Sequence, residues 1–282
     1  MNEKMENILN VAKELPEDEL EKSAQLSAGF DVQEDLWEVI VRFSGDPAFL
    51  REYPEVSYAV LSNNFAILKL PAELIDTVAD HPNIIYMEKP KPLYFSVAAN
   101  RSEACVNSVQ NQFGLYGEGV LIAVIDSGID YAHPAFLTPE GRTRIRAIWD
   151  QTEERGEPPT TLFEVRGSRS PIRGSEYTAE QINEALSADQ DSYTVVSSFD
   201  RSGHGTHVAG IAAGNFANDR RNQVGFATKS ELLVVKLALP QERSFPTTVE
   251  LMEAIDYSVR KAVQMKMPLV INLSFGNNYG SH

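Results

Sequence analysis

Two residues in this chain sit where acid–base chemistry is done. Asp126 closes the apolar run Val120-Leu121-Ile122-Ala123-Val124-Ile125 and leads into Ser127-Gly128-Ile129-Asp130. Such a run reads as a buried parallel strand, and open α/β sheets carry their reactive groups at the carboxyl ends of those strands. His204 lies between Gly203 and Gly205 at the head of Ser202-Gly203-His204-Gly205-Thr206-His207-Val208-Ala209-Gly210-Ile211-Ala212-Ala213. Flanking glycines admit close backbone approach, and Val208, Ala209 and Ala212 let the following helix lie flush on a sheet. A carboxylate beside an imidazole fixes its tautomer and stabilises the imidazolium, so that the ring can take the proton of a hydroxyl too weakly acidic to attack unaided. Asp126 is therefore expected as the orienting carboxylate and His204 as the general base.

Other assignments of the same residues fit less well. His204, His207 and Asp200 as metal ligands lack the His-Glu-x-x-His spacing of zinc peptidases, and His207, three residues round the helix, is expected to pack structurally. Cys105 carries neither the papain nor the caspase signature and is expected as a buried structural thiol. Ser274 in Ser274-Phe275-Gly276 has the Ser-x-Gly of an esterase elbow, but Asn272 stands at the first glycine and no Asp or His follows in the required order. It is not expected to be the nucleophile. No metal or other cofactor is expected.

The elements that must position Asp126 and His204 follow from periodicity. Leu232 to Leu237 reads as a second buried strand, residues 248–266 as an amphipathic helix with Leu251, Ala254, Ile255, Val259, Ala262 and Val263 on one face, and Leu269 to Ser274 as the next parallel strand. Together they form a right-handed βαβ unit. Between the two motifs, residues 137–200 form an insertion expected as surface structure near the cleft, with a capping box at Thr178-Ala179-Glu180-Gln181 starting a helix through Leu186.

Upstream, residues 1–30 form an acidic extension whose first 25 read as a solvated helix or tail. Residues 31–92 carry strands at 37–43, 58–61, 65–70 and 83–88 and helices at 47–53 and 72–79. The order β-α-β-β-α-β is that of a ferredoxin-like α+β unit. Lys89-Pro90-Lys91-Pro92 favours extended backbone, and residues 93–100 read as a linker able to pair with a cleft edge as a substrate strand does.

Composition bounds the rest. The 282 residues are 43% hydrophobic with a net charge of −15, which suits a globular fold and opposes binding to a phosphate backbone. No window reaches the roughly 18 apolar residues of a membrane span, and the first residues lack a secretory signal, so a chain that stays in the compartment where it is made, without nucleic-acid or membrane partners, is expected. One cysteine excludes an internal disulfide.

The Asp126 and His204 motifs, in that order, resemble the first two catalytic motifs of the subtilases, the subtilisin-like serine peptidases. Residues 119–134, 144–152 and 268–276 resemble the Csp-type germination-protease-like subgroup. The resemblance implies a subtilisin-like parallel-sheet α/β domain over residues 101–282, incomplete at its C-terminus, preceded by a propeptide that acts as chaperone and inhibitor with its tail in the cleft. It also implies that Ser274, Phe275 and Gly276 bind substrate backbone and wall the main specificity pocket. Self-cleavage is then expected within residues 95–100, and the substrate is a protein or peptide; in the subgroup's best-known members it is a spore cortex-lytic enzyme precursor, so the resemblance implies a cytoplasmic or spore-associated chain. Ala135 stands where many subtilases place an acidic calcium ligand, so no calcium site is expected. Neither the Gly-Thr-Ser-x-Ala nucleophile motif nor the oxyanion-hole asparagine occurs in residues 1–282, and the chain by itself is expected to be inert. It is either part of a longer peptidase or a natural stub, and a non-catalytic pseudoprotease or regulatory binding protein is the rival from another class.

Overall fold

The computed structural model describes residues 2–20, 22–95, 106–167, 169–188, 192–215, 225–238 and 246–276. The N-terminal elements are α1 (Asn7–Ala12), α2 (Glu17–Leu20), α3 (Ala24–Ser27), β1 (Phe30–Asp31), β2 (Leu36–Phe43), β3 (Ser57–Leu61), β4 (Phe65–Leu70), α4 (Ala72–Ala79) and β5 (Ile84–Glu88). Next come β6 (Tyr94–Phe95), α5 (Val106–Phe113), β7 (Leu121–Asp126), β8 (Ile145–Asp150), β9 (Glu164–Arg166), β10 (Ser175–Thr178) and α6 (Ala179–Ser187). The last are α7 (His204–Ala213), β11 (Glu231–Lys236), α8 (Thr248–Met265), β12 (Leu269–Leu273) and β13 (Phe275–Gly276).

The N-terminal sheet runs β5-β2-β4-β3, all antiparallel, with a 3₁₀ helix (Pro47–Glu52) between β2 and β3. This is the strand order of a split βαβ unit. β2 alternates: Trp37, Val39, Val41 and Phe43 enter a core capped by α1 and α4, while Ile40 turns to the opposite face. The first twenty residues are not a solvated tail. Met5, Leu9, Ala12 and Leu20 are buried in that core, and the backbone of residues 4–6 bonds with Met87 along β5 (Met87 N–H to Lys4 O 2.8 Å, Glu6 N–H to Met87 O 2.9 Å). Leu9, Ala12 and Leu20 find the uncovered face of the sheet, while Glu3, Glu14 and Glu19 stay exposed.

The second sheet runs β10-β8-β11-β7-β12, parallel apart from β10. β8 lies within residues 137–200, which were expected as surface structure. Ile145, Ala147, Ile148 and Trp149 are fully apolar and almost wholly buried, so this part of the insertion is an interior strand. The capping box does form, with Thr178 Oγ1 accepting from Gln181 N–H and Gln181 Oε1 from Thr178 N–H, and starts α6. β9 leaves the second sheet altogether and pairs antiparallel with β3, extending the N-terminal sheet.

α8 lies between the two sheets, and of its expected face Ala254 and Ala262 are buried and Leu251 and Ile255 pack against the core, but the buried face turns further toward polar residues. Val259 and Val263 are 40% and 72% exposed, whereas Glu250, Glu253, Asp256, Tyr257 and Ser258 are buried. Hydropathy misleads here because α8 meets the N-terminal unit through charges. Asp256 Oδ1 accepts from Ser62 N–H (3.1 Å) and its Oδ2 from Arg260 Nε (2.6 Å), while Arg260 Nη1 donates to Leu162 O (2.8 Å). Glu250 holds Arg173 (3.1 Å), which also faces Glu38 of β2 at 3.9 Å, and Lys69 of β4 stands 4.0 Å from Glu38. Among the described residues no helix is long and apolar enough to cross a membrane.

Candidate active site

Strand parity aims Asp126. Along β7, Leu121, Ala123 and Ile125 face α8, while Ile122 and Val124 face the layer that holds α7. Asp126, two residues beyond Val124, falls on the α7 side at the carboxyl end of an interior parallel strand. α7 packs across β7 and begins at His204 itself, so the histidine enters at the end of the strand that carries the aspartate.

Two glycines permit that meeting. Gly203 holds φ +76°, a left-handed turn into the helix. Gly205 lies so close to the turn after β7 that a Cβ would fall 2.2 Å from Gly128 O and 3.1 Å from Asp126 Oδ1. The result is a 2.7 Å contact between His204 Nδ1 and Asp126 Oδ1. Asp126 is fully buried and also accepts from Ser127 N–H (2.7 Å), while the imidazole retains 17% exposure. With Nδ1–H donating to the carboxylate, the tautomer places the basic lone pair on Nε2, as a general base requires.

The neighbouring strand ends draw the nearest lysine away from this pair. Lys236 ends β11 in register with both Asp126 and Asp150, the last residue of β8. Its Nζ donates to Asp150 Oδ2 (2.9 Å), which also accepts from Ser198 Oγ (2.7 Å). The ammonium between the two carboxylates is thereby committed to Asp150, and Asp126 is left to the imidazole.

The residues expected to bind substrate lie beyond β12, which runs parallel to β7. The backbone of Phe275–Gly276 forms β13 and pairs antiparallel with β6, Phe275 opposite Phe95 and Gly276 opposite Tyr94. Upstream of that pairing, residues 91–93 are fastened to the start of α8: Lys91 N–H donates to Thr248 Oγ1 (3.0 Å), Thr248 N–H to Lys91 O (2.9 Å) and Leu93 N–H to Pro246 O (2.8 Å). The described start of the linker therefore lies as a strand on the segment expected to hold substrate backbone. Ser274 Oγ accepts from Asn272 Nδ2 (2.9 Å). His207, expected to pack structurally, is exposed on α7, because its position on the helix faces away from both sheets. Residues 96–100 of the expected cleavage region, and Cys105, lie outside the described residues.

Sequence reasoning assigned no role to Ser127 and Ser202, around the start of α7, and suggested Asp200 only as a metal ligand that the spacing disfavours. A signal was present: a helix that begins after Gly203 has no side-chain N-cap, so its amide donors must be met from elsewhere.

Two family models together cover most of the chain. Residues 117–282 match the model of the Subtilase family, and residues 3–91 match that of the Csp protease B prodomain. The solved CspB protease of Clostridium perfringens is 35% identical with a TM-score of 0.52, covering 64% of this chain and 34% of that one. The subtilisin-like protease SBT2.4 of Arabidopsis thaliana is 30% identical over 170 residues, 57% of this chain and 19% of that protein. The C5a peptidase of Streptococcus pyogenes is 26% identical over 222 residues, 73% of this chain and 17% of that protein. The chain thus spans about a fifth of the length of these curated relatives.

Proposed function

This chain belongs to the subtilase family, and on that premise we propose that it supplies the prodomain and the first half of the catalytic domain of a serine endopeptidase that carries its own prodomain tail in the cleft. The observation that carries the reading is the strand β6 lying antiparallel on Phe275–Gly276, just beyond the sheet end that holds the 2.7 Å Asp126–His204 pair. A strand added to a cleft edge is how a peptidase holds its substrate, and here the occupant is the chain's own linker.

Each residue has a task in this reading. His204 Nε2 takes the proton of a serine hydroxyl as its oxygen attacks the scissile carbonyl, then returns it to the leaving amine, and Asp126 stabilises the imidazolium between those steps. The backbone of residues 275 and 276 aligns the peptide. Neither the serine nor the oxyanion donor is among residues 1–282, and both belong to the complete protein in this reading. The tail on β13 continues into residues 96–100, where self-cleavage is proposed. The substrate class suggested by the resemblance to Csp proteases is a precursor of a spore cortex-lytic hydrolase, cut by limited proteolysis inside the cell or spore.

The test compares the complete protein with its His204→Ala variant by intact mass and N-terminal sequencing, followed by assay on peptide amides. A new N-terminus within residues 95–100, together with amidase activity, both absent from His204→Ala, is the expected result. An active protein with an uncleaved N-terminus overturns self-processing. A complete protein that cleaves neither itself nor any peptide overturns the peptidase reading in favour of a binding or regulatory role.

A further inference from the structure

The first turn of α7 presents backbone N–H groups that no preceding turn can satisfy, and Gly203 has no side chain to cap them. Three side chains from outside the helix do so instead. His204 N–H donates to Ser202 Oγ (3.1 Å), Gly205 N–H to Ser127 Oγ (3.0 Å) and Thr206 N–H to Asp200 Oδ2 (2.9 Å). The two serines are in turn held by Asp200. Its Oδ1 accepts from Ser127 Oγ (2.9 Å), Ser202 N–H (3.1 Å) and Ser202 Oγ (3.1 Å), while its Oδ2 takes a second bond from Thr206 Oγ1 (2.8 Å). Ser202 Oγ also lies 2.8 Å from Ser127 Oγ.

One carboxylate therefore links the loop before the histidine, the first turn of its helix and the residue directly after Asp126. We propose that Asp200 is a positioning residue that sets the distance and angle between His204 and Asp126. The inference deepens the peptidase reading of the same site and rests on it for its kinetic consequence, though not for its geometry.

The donor count explains why the residue is an aspartate. Five donors converge on Asp200: Thr206 N–H and Oγ1–H, Ser127 Oγ–H, and Ser202 N–H and Oγ–H. A carboxylate accepts at both oxygens and has about four lone-pair sites, whereas an amide accepts at one and donates at the other. Asparagine, though the same size, would set an N–H₂ either against the Ser127 hydroxyl and Ser202 amide at the Oδ1 position or against the Thr206 amide and hydroxyl at the Oδ2 position. The charge state agrees with this role. Burial acts to raise the Asp200 carboxyl, but the hydrogen bonds from Thr206 and then Ser127 outweigh it and hold the group below its usual range. The negative charge also lies at the positive end of α7, where it is favoured.

The test uses Asp200→Asn in this chain and in the complete protein. In this chain, the His204 Nδ1 proton that bonds to Asp126 is followed by NMR, with far-UV circular dichroism and thermal melting as controls of the fold. The expected result is loss or fast exchange of that proton in a variant that still melts cooperatively. In the complete protein kcat falls about 100-fold, the penalty of a displaced catalytic group, with KM within threefold. A purely structural role would lower the melting temperature without moving the proton signal or kcat in the folded protein. An unchanged Nδ1 proton, or kcat within threefold of wild type, overturns the inference. Should Asp200→Asn fail to fold, Ser202→Ala, at an exposed position, removes the hydroxyl that links Asp200 to the His204 amide and touches Ser127 Oγ, and leaves the bonds from Ser127 and Thr206 to Asp200 in place. Broadening of the Nδ1 proton then supports the inference, and a wild-type signal overturns it. A wild-type complete protein without peptidase activity defeats the functional reading alone, because the Nδ1 proton in this chain still decides the role of Asp200.

Discussion

Replacing Glu253 with glutamine tests how the two halves of this molecule meet. Glu253 lies on α8 with 1% of its surface exposed, and its Oε1 has no hydrogen-bond partner among the described residues. Burial, and then the charge of Glu38 across the junction, hold its carboxyl well above the usual carboxylate value of 4.5, against the smaller opposing pull of Arg173. In the unfolded chain the ordinary value returns. Between the two values the folded protein binds a proton that the unfolded chain lacks, so unfolding releases it and stability falls as pH rises. The contribution is complete below the unfolded value and is lost as pH climbs toward the folded one, at roughly 1 kcal/mol per pH unit inside that window. Glutamine cannot ionise and removes the slope, while its amide changes the offset by an amount that does not depend on pH. The assay is urea unfolding at pH 5, 6 and 7, followed by the fluorescence of Trp149, which is buried 5.0 Å from the Tyr257 ring on α8. Wild type should lose stability relative to Glu253→Gln with each step up in pH. Parallel curves for the two proteins would mean that Glu253 is ionised in the folded state, and the account of this junction would be wrong.

Two further substitutions test the frame around the site. Gly205→Ala sets a methyl 2.2 Å from a backbone carbonyl that cannot retreat cheaply. It should cost about 1–3 kcal/mol in denaturant midpoint, remove the Nδ1 proton signal of His204, and lower kcat/KM of the complete protein at least 100-fold; wild-type kinetics would show that α7 has room to move. Arg144 donates to four backbone carbonyls, those of Thr228, Ser230, Ala135 and Ala213, at 2.5–2.9 Å, and so ties the end of α7 to β8 and β11. Lysine lacks the planar fork, so Arg144→Lys should lower stability by about 2–4 kcal/mol as carbonyls lose charged partners, and a melting curve matching wild type would refute that role.

Much of the C-terminal half was legible in the chain itself. An apolar run ending in Asp126 has one stable setting, an interior strand, and a histidine between glycines before small residues has one use, close approach to that strand's end. The strand pattern of residues 36–88 likewise carries its sheet order, because alternating side chains allow few registers. What the sequence left undetermined lies wherever distant segments meet. β9 is a polar stretch with no signal of its own, and it becomes a strand only because β3 offers it an edge. The acidic face of α8 reads as solvent-exposed until Arg173 and Ser62 are brought against it. Asp200 looks like one charge in a loop, and its role appears only when α7 and the turn after β7 come together around it. Hydrophobic periodicity is a local property written along the chain. The partners of a buried charge are a property of the fold, because the energy that decides them depends on groups tens to hundreds of residues away.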